Sequence, residues 1–179
     1  PSSGNSPTWV TINSTTSERY IQIEVEDNVG YSGNVYLDSV SLASGSYLQS
    51  VKSTSGSVSN SEYLLGPPDG QLAEIAAPNY GDISYIIGNL GTLYSGNLML
   101  DAYSYNNGAG SYTSTVTVYT SPDDSTWTQV YSSTWSPSSN NEPTWFNLGN
   151  VNNVQYIKIQ VQDNNYYSGN IYIDAAYLS

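Results

Sequence analysis

Apolar and polar residues alternate along much of this chain with the two-residue period of a half-buried β-strand. Residues 20–26 and 156–162 show the alternation most clearly, with isoleucine or valine at every second position. Further strands are predicted over residues 47–52, 71–75, 82–87 and 97–105. No eleven-residue window has the 3.6-residue period of a helix, so the pattern predicts an all-β protein.

A hairpin is predicted between residues 113–120 and 126–133. The first segment consists mainly of β-branched residues, and a Ser-Pro-Asp-Asp-Ser turn at 121–125 separates it from the second. Many short strands joined by turn residues are typical of antiparallel architectures in which two layers enclose one core. The sequence therefore predicts an antiparallel β-sandwich or jelly roll.

The two ends of the chain repeat each other. Residues 1–43 align with residues 137–179 without a gap, at a constant offset of 136 residues. We therefore expect a complete module over 44–179, preceded by the C-terminal third of another module over 1–43. Trp9 and Trp145 occupy equivalent positions, which predicts that they pack in the core or at a strand edge.

A shorter echo of the repeat occurs at residues 94–101, so a Tyr-Ser-Gly-Asn pattern followed by an apolar strand and an Asp occurs three times. We expect each Ser-Gly-Asn to form a turn, because Gly and Asn tolerate positive φ.

The partial repeat 1–43 carries only about three strands and buries too little surface to fold alone. An upstream repeat or a neighbouring subunit could complete it, or it could pack onto 44–179 as extra strands. The first two arrangements both place the protein in a linear array of neighbouring copies. The main functional prediction is therefore an extracellular filament, surface layer or stalk.

Composition narrows the possible partners and chemistry. The chain has 3 Lys+Arg against 15 Asp+Glu, a formal net charge of −12, which disfavours nucleic acid and anionic membrane surfaces as partners. Cys and His are absent, which excludes disulfides, thiolate nucleophiles and a Ser-His-Asp triad. No apolar run is long enough to insert in a membrane. Charged residues make up only 10%, and there are 18 Tyr against 1 Phe, a composition that resembles that of secreted or cell-surface proteins.

Three segments of 44–179 resemble the galactose-binding-like, or discoidin-like, β-sandwich family. Residues 65–70 resemble its entry loop, and residues 119–127 resemble its Ser-x-Asp-Gly-x-x-Trp hairpin, with Asp124 where Gly is usual. Residues 155–159 and 174–176 resemble its closing strands. The resemblance implies carbohydrate binding, adhesion or a spacer role, often with structural calcium.

Asp38, Asp101 and Asp174 end the three echoes, and Asp38 and Asp174 share strand parity with apolar residues. A buried carboxylate needs a partner, and Lys and Arg are scarce in this chain. Backbone N–H groups or a Ca²⁺ ion could supply it. The family resemblance raises the calcium alternative, while a hydrogen-bonded or simply exposed Asp is the default. Asp69 of the entry loop is a further candidate ligand, although a tight turn with an Asx hydrogen bond is the favoured explanation for it.

A sugar site needs exposed aromatic faces beside polar groups. Trp135 lies in a loop-like stretch and is predicted to be exposed. Tyr103, Tyr105, Tyr166 and Tyr167 flank Asn-rich segments and could add stacking. Contact surfaces between subunits would use the same residues.

Asn13 begins an Asn-Ser-Thr sequon and is a candidate glycosylation site on a surface loop. The carboxylates show no sign of the opposed pair that a glycosidase needs, so we do not expect an enzyme. The alternative to the filament is a carbohydrate-binding module of a larger secreted enzyme or adhesin.

Overall fold

A computed structural model describes residues 46–105, 113–138, 140–164 and 169–179. All of these residues belong to the predicted module 44–179. The predictions for the partial repeat 1–43, including Asp38, Asn13 and its completion by a neighbouring copy, lie outside the described residues. So do Tyr166 and Tyr167.

The described chain is built from antiparallel strands and one short 3-10 helix, η1 (Ser61–Leu64). The strands are β1 (Ser46–Tyr47), β2 (Ser50–Ser55), β3 (Ser57–Ser59), β4 (Ala73–Ala77), β5 (Ile83–Ser104), β6 (Ser114–Ser121), β7 (Thr128–Trp135), β8 (Thr144–Asp163) and β9 (Gly169–Leu178). No helix in these ranges is long and apolar enough to cross a membrane.

Two long strands, β5 and β8, pair with each other along most of their length and pass through both halves of the sheet. Their segments 83–89 and 156–163 join β2, β6 and β7 in what we call the first sheet. Their segments 98–104 and 144–151 join β9, β4, β3 and β1 in the second sheet.

One hydrophobic core holds the two sheets together. Val116 and Ile159 of the first sheet and Ile75 and Ile173 of the second belong to the same buried cluster. The alternation predicted near the C-terminus is present, because every second residue from Ile157 is buried. The predicted all-β antiparallel sandwich is confirmed.

The predicted strands 82–87 and 97–105 are wrong as separate elements, because they form the single strand β5. The predicted turn at Ser95-Gly96-Asn97 therefore lies inside a strand. The pairing of β5 with β8 is irregular on both sides of Tyr94, which is where the strand passes from one sheet to the other. Gly96 is explained by close packing, since a Cβ there would collide with the Ser179 carbonyl oxygen.

The predicted hairpin is confirmed, with β6 and β7 paired from Ser114↔Trp135 to Thr120↔Thr128. Asp124, which stands where the resembling family has Gly, adopts the left-handed conformation that Gly would adopt, with φ 62°. The predicted strand 47–52 is wrong as one element, because it divides into β1 and the start of β2.

Candidate functional site

The outer surface of the second sheet gathers aromatic side chains from several strands. Leu100 of β5 and Ile173 of β9 point into the core, so residues that alternate with them point outward. We call the outward set the aromatic face; it consists of Tyr47, Tyr103, Tyr105, Trp145, Tyr172 and Tyr177.

At one end of the aromatic face, tyrosines from β5 and β9 pack together. Tyr103 and Tyr172 are cross-strand partners, and their rings stack with centroids 5.3 Å apart at 16°. Tyr105, just after β5, meets Tyr172 edge to face at 5.5 Å. Tyr103 is buried, but Tyr105 is 39% exposed. Its ring is therefore open to a ligand.

At the other end, three strands contribute one ring each. Tyr47 of β1 stacks on its cross-strand partner Tyr177 at 5.1 Å, and Trp145 of β8 meets Tyr177 edge to face at 5.2 Å. Trp145 is 41% exposed. Of the two alternatives predicted for Trp145, packing at a strand edge is confirmed, because this part of β8 pairs only with β5, and packing in the core is wrong.

Small and polar residues lie between these two ends. Asp101 pairs with Ala175 on one side and Trp145 on the other. Along β5, Tyr103 and Met99 flank Asp101, and a rise of about 3.3 Å per residue places these two roughly 13 Å apart. Asp101 and Ala175, at the centre of this strip of the sheet, are 7% and 0% exposed, and the rings of Trp145 and Tyr177 meet across β5 next to them.

Polar groups border the tyrosine end of the aromatic face. The Glu74 carboxylate accepts hydrogen bonds from Asn170 Nδ2 at 2.7 Å and from Ser59 Oγ at 3.1 Å. Burial, reinforced by neighbours that include the charge of Glu74, raises the pKa of Tyr103 and of Tyr172. Their phenols therefore keep their protons at neutral pH and can donate hydrogen bonds.

The side-chain carboxylate of Asp174 binds the backbone of the entry loop, residues 65–70. Its carboxylate accepts hydrogen bonds from the N–H groups of Asp69, at 3.1 Å, and Gly70, at 3.2 Å. The sequence predicted that a buried carboxylate in this chain is compensated either by backbone N–H groups or by a Ca²⁺ ion. At Asp174 the backbone N–H groups are the partner. The Asx turn predicted for Asp69 is also present, since its Oδ1 accepts the Gln71 N–H at 2.9 Å.

Asp101 differs from Asp174 in having no such donors among the described residues. It is only 7% exposed, and burial together with the nearby negative charge of Asp174 raises its pKa to about 6. Part of the Asp101 population is therefore protonated in mildly acidic solution. Above pH 6 most of the Asp101 population carries a negative charge on this face of the second sheet.

The described aspartates do not assemble a metal site. No group of three or more acidic residues within the described ranges lies close enough together to hold an ion. Asp174 is occupied with the entry loop, and Asp69 folds back onto Gln71. Calcium binding through Asp38, Asp69, Asp101 and Asp174 stays a prediction.

The exposure predicted for Trp135 is wrong. It ends β7 at 7% exposure, with its ring stacked on Phe146 at 4.4 Å and its Nε1 donating to the Tyr131 hydroxyl at 2.9 Å. The Ser- and Thr-rich sequence around Trp135 is typical of a loop, but it forms the end of strand β7. The ring faces that a sugar would need are covered.

Four of the predicted site residues therefore lie together on the second sheet, namely Tyr103, Tyr105, Asp101 and Asp174. Sequence reasoning missed Tyr47, Tyr172, Tyr177 and Trp145. Tyr172 could have been found, since it shares strand parity with Asn170 and precedes the terminal Asp. Tyr177 could not, because an irregularity in the pairing of β9 with β5 near Asp101 reverses the parity beyond it.

The two lysines in the described ranges lie on the first sheet, away from the aromatic face. Lys52 is paired with Asp124. Lys158 lies over the rings of Tyr119, at 4.3 Å, and Trp127, at 5.3 Å. The charged groups described on the aromatic face are therefore carboxylates.

No protein-family model and no curated protein sequence matches the chain. Solved structures do. A pectin-binding carbohydrate-binding module matches with a TM-score of 0.51 at 12% identity, over 73% of this chain and 89% of that module. CBM32-3 of a family 31 glycoside hydrolase from Clostridium perfringens matches with a TM-score of 0.50 at 13% identity, over 73% and 92%.

A third structure, the CBM32 of AlyQ in complex with 4,5-unsaturated mannuronic acid, is 22% identical with a TM-score of 0.49, over 74% of this chain and 97% of that module. The described fold is a galactose-binding-like β-sandwich of the kind found in carbohydrate-binding modules. The family resemblance seen in the sequence is confirmed for the fold.

Proposed function

We propose that residues 44–179 form a non-catalytic, extracellular carbohydrate-binding module that holds a glycan on its aromatic face. The observation that supports this most is the aromatic face itself, on which the partly exposed rings of Tyr105 and Trp145 lie on one surface of the second sheet among other aromatic rings. Aromatic rings pack against the apolar faces of pyranose rings, and the phenols and carboxylates can bond the sugar hydroxyls.

The fold similarity also favours this function over the filament. The two structures with the higher TM-scores are both carbohydrate-binding modules, one described as binding pectin and the other part of a glycoside hydrolase. Fold alone does not determine function, so the aromatic face carries the argument. The filament prediction depends on residues 1–43 and is not supported by these similarities.

Affinity electrophoresis in gels containing soluble polysaccharides tests the proposal. We expect Tyr105→Ala and Trp145→Ala each to weaken binding about tenfold, which corresponds to the loss of one ring contact of about 1.4 kcal/mol. Tyr80→Ala is the matched control, because Tyr80 is 62% exposed and lies in the β4–β5 loop outside the aromatic face.

Two results would contradict the proposal. If the wild-type chain binds no polysaccharide in a panel of neutral, acidic and amino-sugar polymers, the module does not have this function. If Tyr80→Ala abolishes binding while the other two variants retain it, a glycan binds at the loops beside Tyr80 and the aromatic face is not the site.

A further inference from the structure

Two tyrosines join the first and last strands of the described module. Tyr47 of β1 and Tyr177 of β9 are cross-strand partners, and their rings stack with centroids 5.1 Å apart at an angle of 28°. Burial, reinforced by the nearby Tyr177 hydroxyl, raises the pKa of Tyr47. Since this electrostatic effect falls off with distance, the two phenol oxygens are close, and so are the ortho carbons beside them.

An exposed tryptophan gives this pair a route for losing electrons. Trp145 is 41% exposed and meets Tyr177 edge to face at 5.2 Å. A tryptophan radical is a stronger one-electron oxidant than a tyrosine radical at neutral pH, so an electron passes from Tyr177 to an oxidised Trp145 and not in the reverse direction. The ring contacts therefore connect an exposed, oxidisable side chain to both tyrosines.

The other stacked tyrosine pair on the aromatic face is less suited to oxidation. Tyr103 and Tyr172 stack at 5.3 Å, but Tyr103 is only 8% exposed, so solvent reaches little of one partner. The ring contact described beyond this pair leads to Tyr105 and not to a tryptophan. Tyr47 and Tyr177 are therefore the better placed of the two pairs.

We propose that Tyr47 and Tyr177 form a site of oxidative cross-linking, at which a haem peroxidase using hydrogen peroxide joins the two rings as dityrosine. Each phenol gives up one electron and one proton, and a carbon–carbon bond forms between the two ortho carbons. The hydrogen on each of these carbons then moves to the phenol oxygen, which restores both aromatic rings. The two electrons and two protons reduce one hydrogen peroxide to two water molecules.

The cross-link closes nearly the whole described module into one covalent loop. Strand β1 has only two residues, and Ser46 and Tyr47 pair with Leu178 and Tyr177 of β9. The chain has no Cys, so a disulfide cannot fix these strands. A dityrosine restricts the unfolded chain as a disulfide does, and we expect it to raise the unfolding temperature of residues 44–179 by about 5 to 10 °C.

Treatment of the full chain with a haem peroxidase and hydrogen peroxide tests the proposal. Dilute protein is used, so that coupling within one molecule is favoured over coupling between molecules. We expect the monomer to lose the mass of two hydrogen atoms and to gain dityrosine fluorescence, with peptide mapping locating the link at Tyr47 and Tyr177. Tyr47→Phe and Tyr177→Phe keep the ring but remove the hydroxyl, so each should abolish this link and the rise in unfolding temperature.

Tyr80→Phe is the matched control, because it removes one phenol from a residue that is 62% exposed and lies outside the aromatic face. It should leave the yield of the monomeric link unchanged, whereas Trp145→Phe should slow its formation. The proposal is overturned if dityrosine forms only between molecules, if the link in the monomer maps to other tyrosines, or if Tyr177→Phe yields as much of it as the wild-type chain. None of these results bears on the binding of a glycan, which the polysaccharide assays measure separately.

Discussion

At the scale of single residues, Asp101 and Asp174 show how one sequence motif can serve two purposes. Both close a Ser-Gly-Asn echo, and both are more than nine-tenths buried. Asp174 stabilises the entry loop through the N–H groups of Asp69 and Gly70. Asp101 has no comparable donors among the described residues, so its burial costs stability.

The stability of the free protein should therefore depend on Asp101 in a defined pH range. Its pKa rises from about 4 in the unfolded chain to about 6 in the native state, so both states are neutral at Asp101 below pH 4. Below pH 4 the neutral Asp101 side chain therefore adds no electrostatic cost to the native state. As the pH rises through 6, the native state acquires an unfavourable charge at Asp101 and the free energy of unfolding falls.

Asp101→Asn should then raise the free energy of unfolding at pH 8 but scarcely at pH 3.5. We expect a difference on the order of 1 kcal/mol between the two, because solvent screening reduces the full electrostatic value. Urea unfolding at both pH values measures it, with Glu62→Gln as the exposed control. Equal effects of Asp101→Asn at the two pH values would contradict the argument.

At the scale of elements, the sequence predicts strands where alternation is regular and fails where strands bend or lack apolar residues. The hairpin of β6 and β7 and the buried alternation from Ile157 were predictable because local pattern and tertiary burial agree. The continuity of β5 was not predictable, since Ser95-Gly96-Asn97 has the composition of a turn. Packing of Ser179 against Gly96 determines the outcome there.

The candidate site was predictable to the same extent. Tyr103 and Tyr105, chosen because they flank an Asn-rich segment, lie together on the aromatic face, and their contact with a sugar stays a prediction. The burial of Trp135 was not predictable from the sequence, since only the tertiary fold brings Phe146 over its ring. The contribution of Tyr47 depends on the long-range pairing of β1 with β9, and no local signal in the sequence reports it.

The β6–β7 turn depends on one carboxylate. Asp123 Oδ1 accepts the N–H groups of Thr126 at 2.8 Å and Ser125 at 2.9 Å, and these bonds hold the pKa of Asp123 well below its usual range. Since the pKa is lowered on folding, the stabilisation is present at neutral pH and is lost as the pH falls far into the acid range.

Asp123→Ala should therefore increase hydrogen exchange in the hairpin several-fold at neutral pH, with the largest effect at the β7 amides nearest the turn. Glu62→Gln is the control, because Glu62 is an exposed carboxylate on η1, outside the hairpin. If Asp123→Ala leaves exchange in β7 unchanged, the turn is held by its Ser121 hydroxyl and backbone geometry instead.

At the scale of the whole molecule, the described module has a core of its own. The buried cluster runs from Leu48 to Leu178 and includes residues of both β8 and β9, the strands that residues 1–43 repeat in sequence. Nothing in the described core requires a second copy of these strands. The completion of residues 1–43 by a neighbouring copy stays a prediction.

Sedimentation velocity on the full chain and on a truncated chain beginning at Ser44 separates the two functions. We expect the truncated chain to remain monomeric, to melt cooperatively near the temperature of the 44–179 transition in the full chain, and to bind polysaccharide with unchanged affinity.

If 1–43 is completed by neighbouring copies, only the full chain should associate as its concentration rises, because an incomplete sheet exposes edges that pair with another copy. A full chain that stays monomeric over the same range would contradict completion by another subunit. Loss of polysaccharide binding on truncation would instead show that residues 1–43 contribute to the site, and would contradict a carbohydrate-binding function located in 44–179 alone.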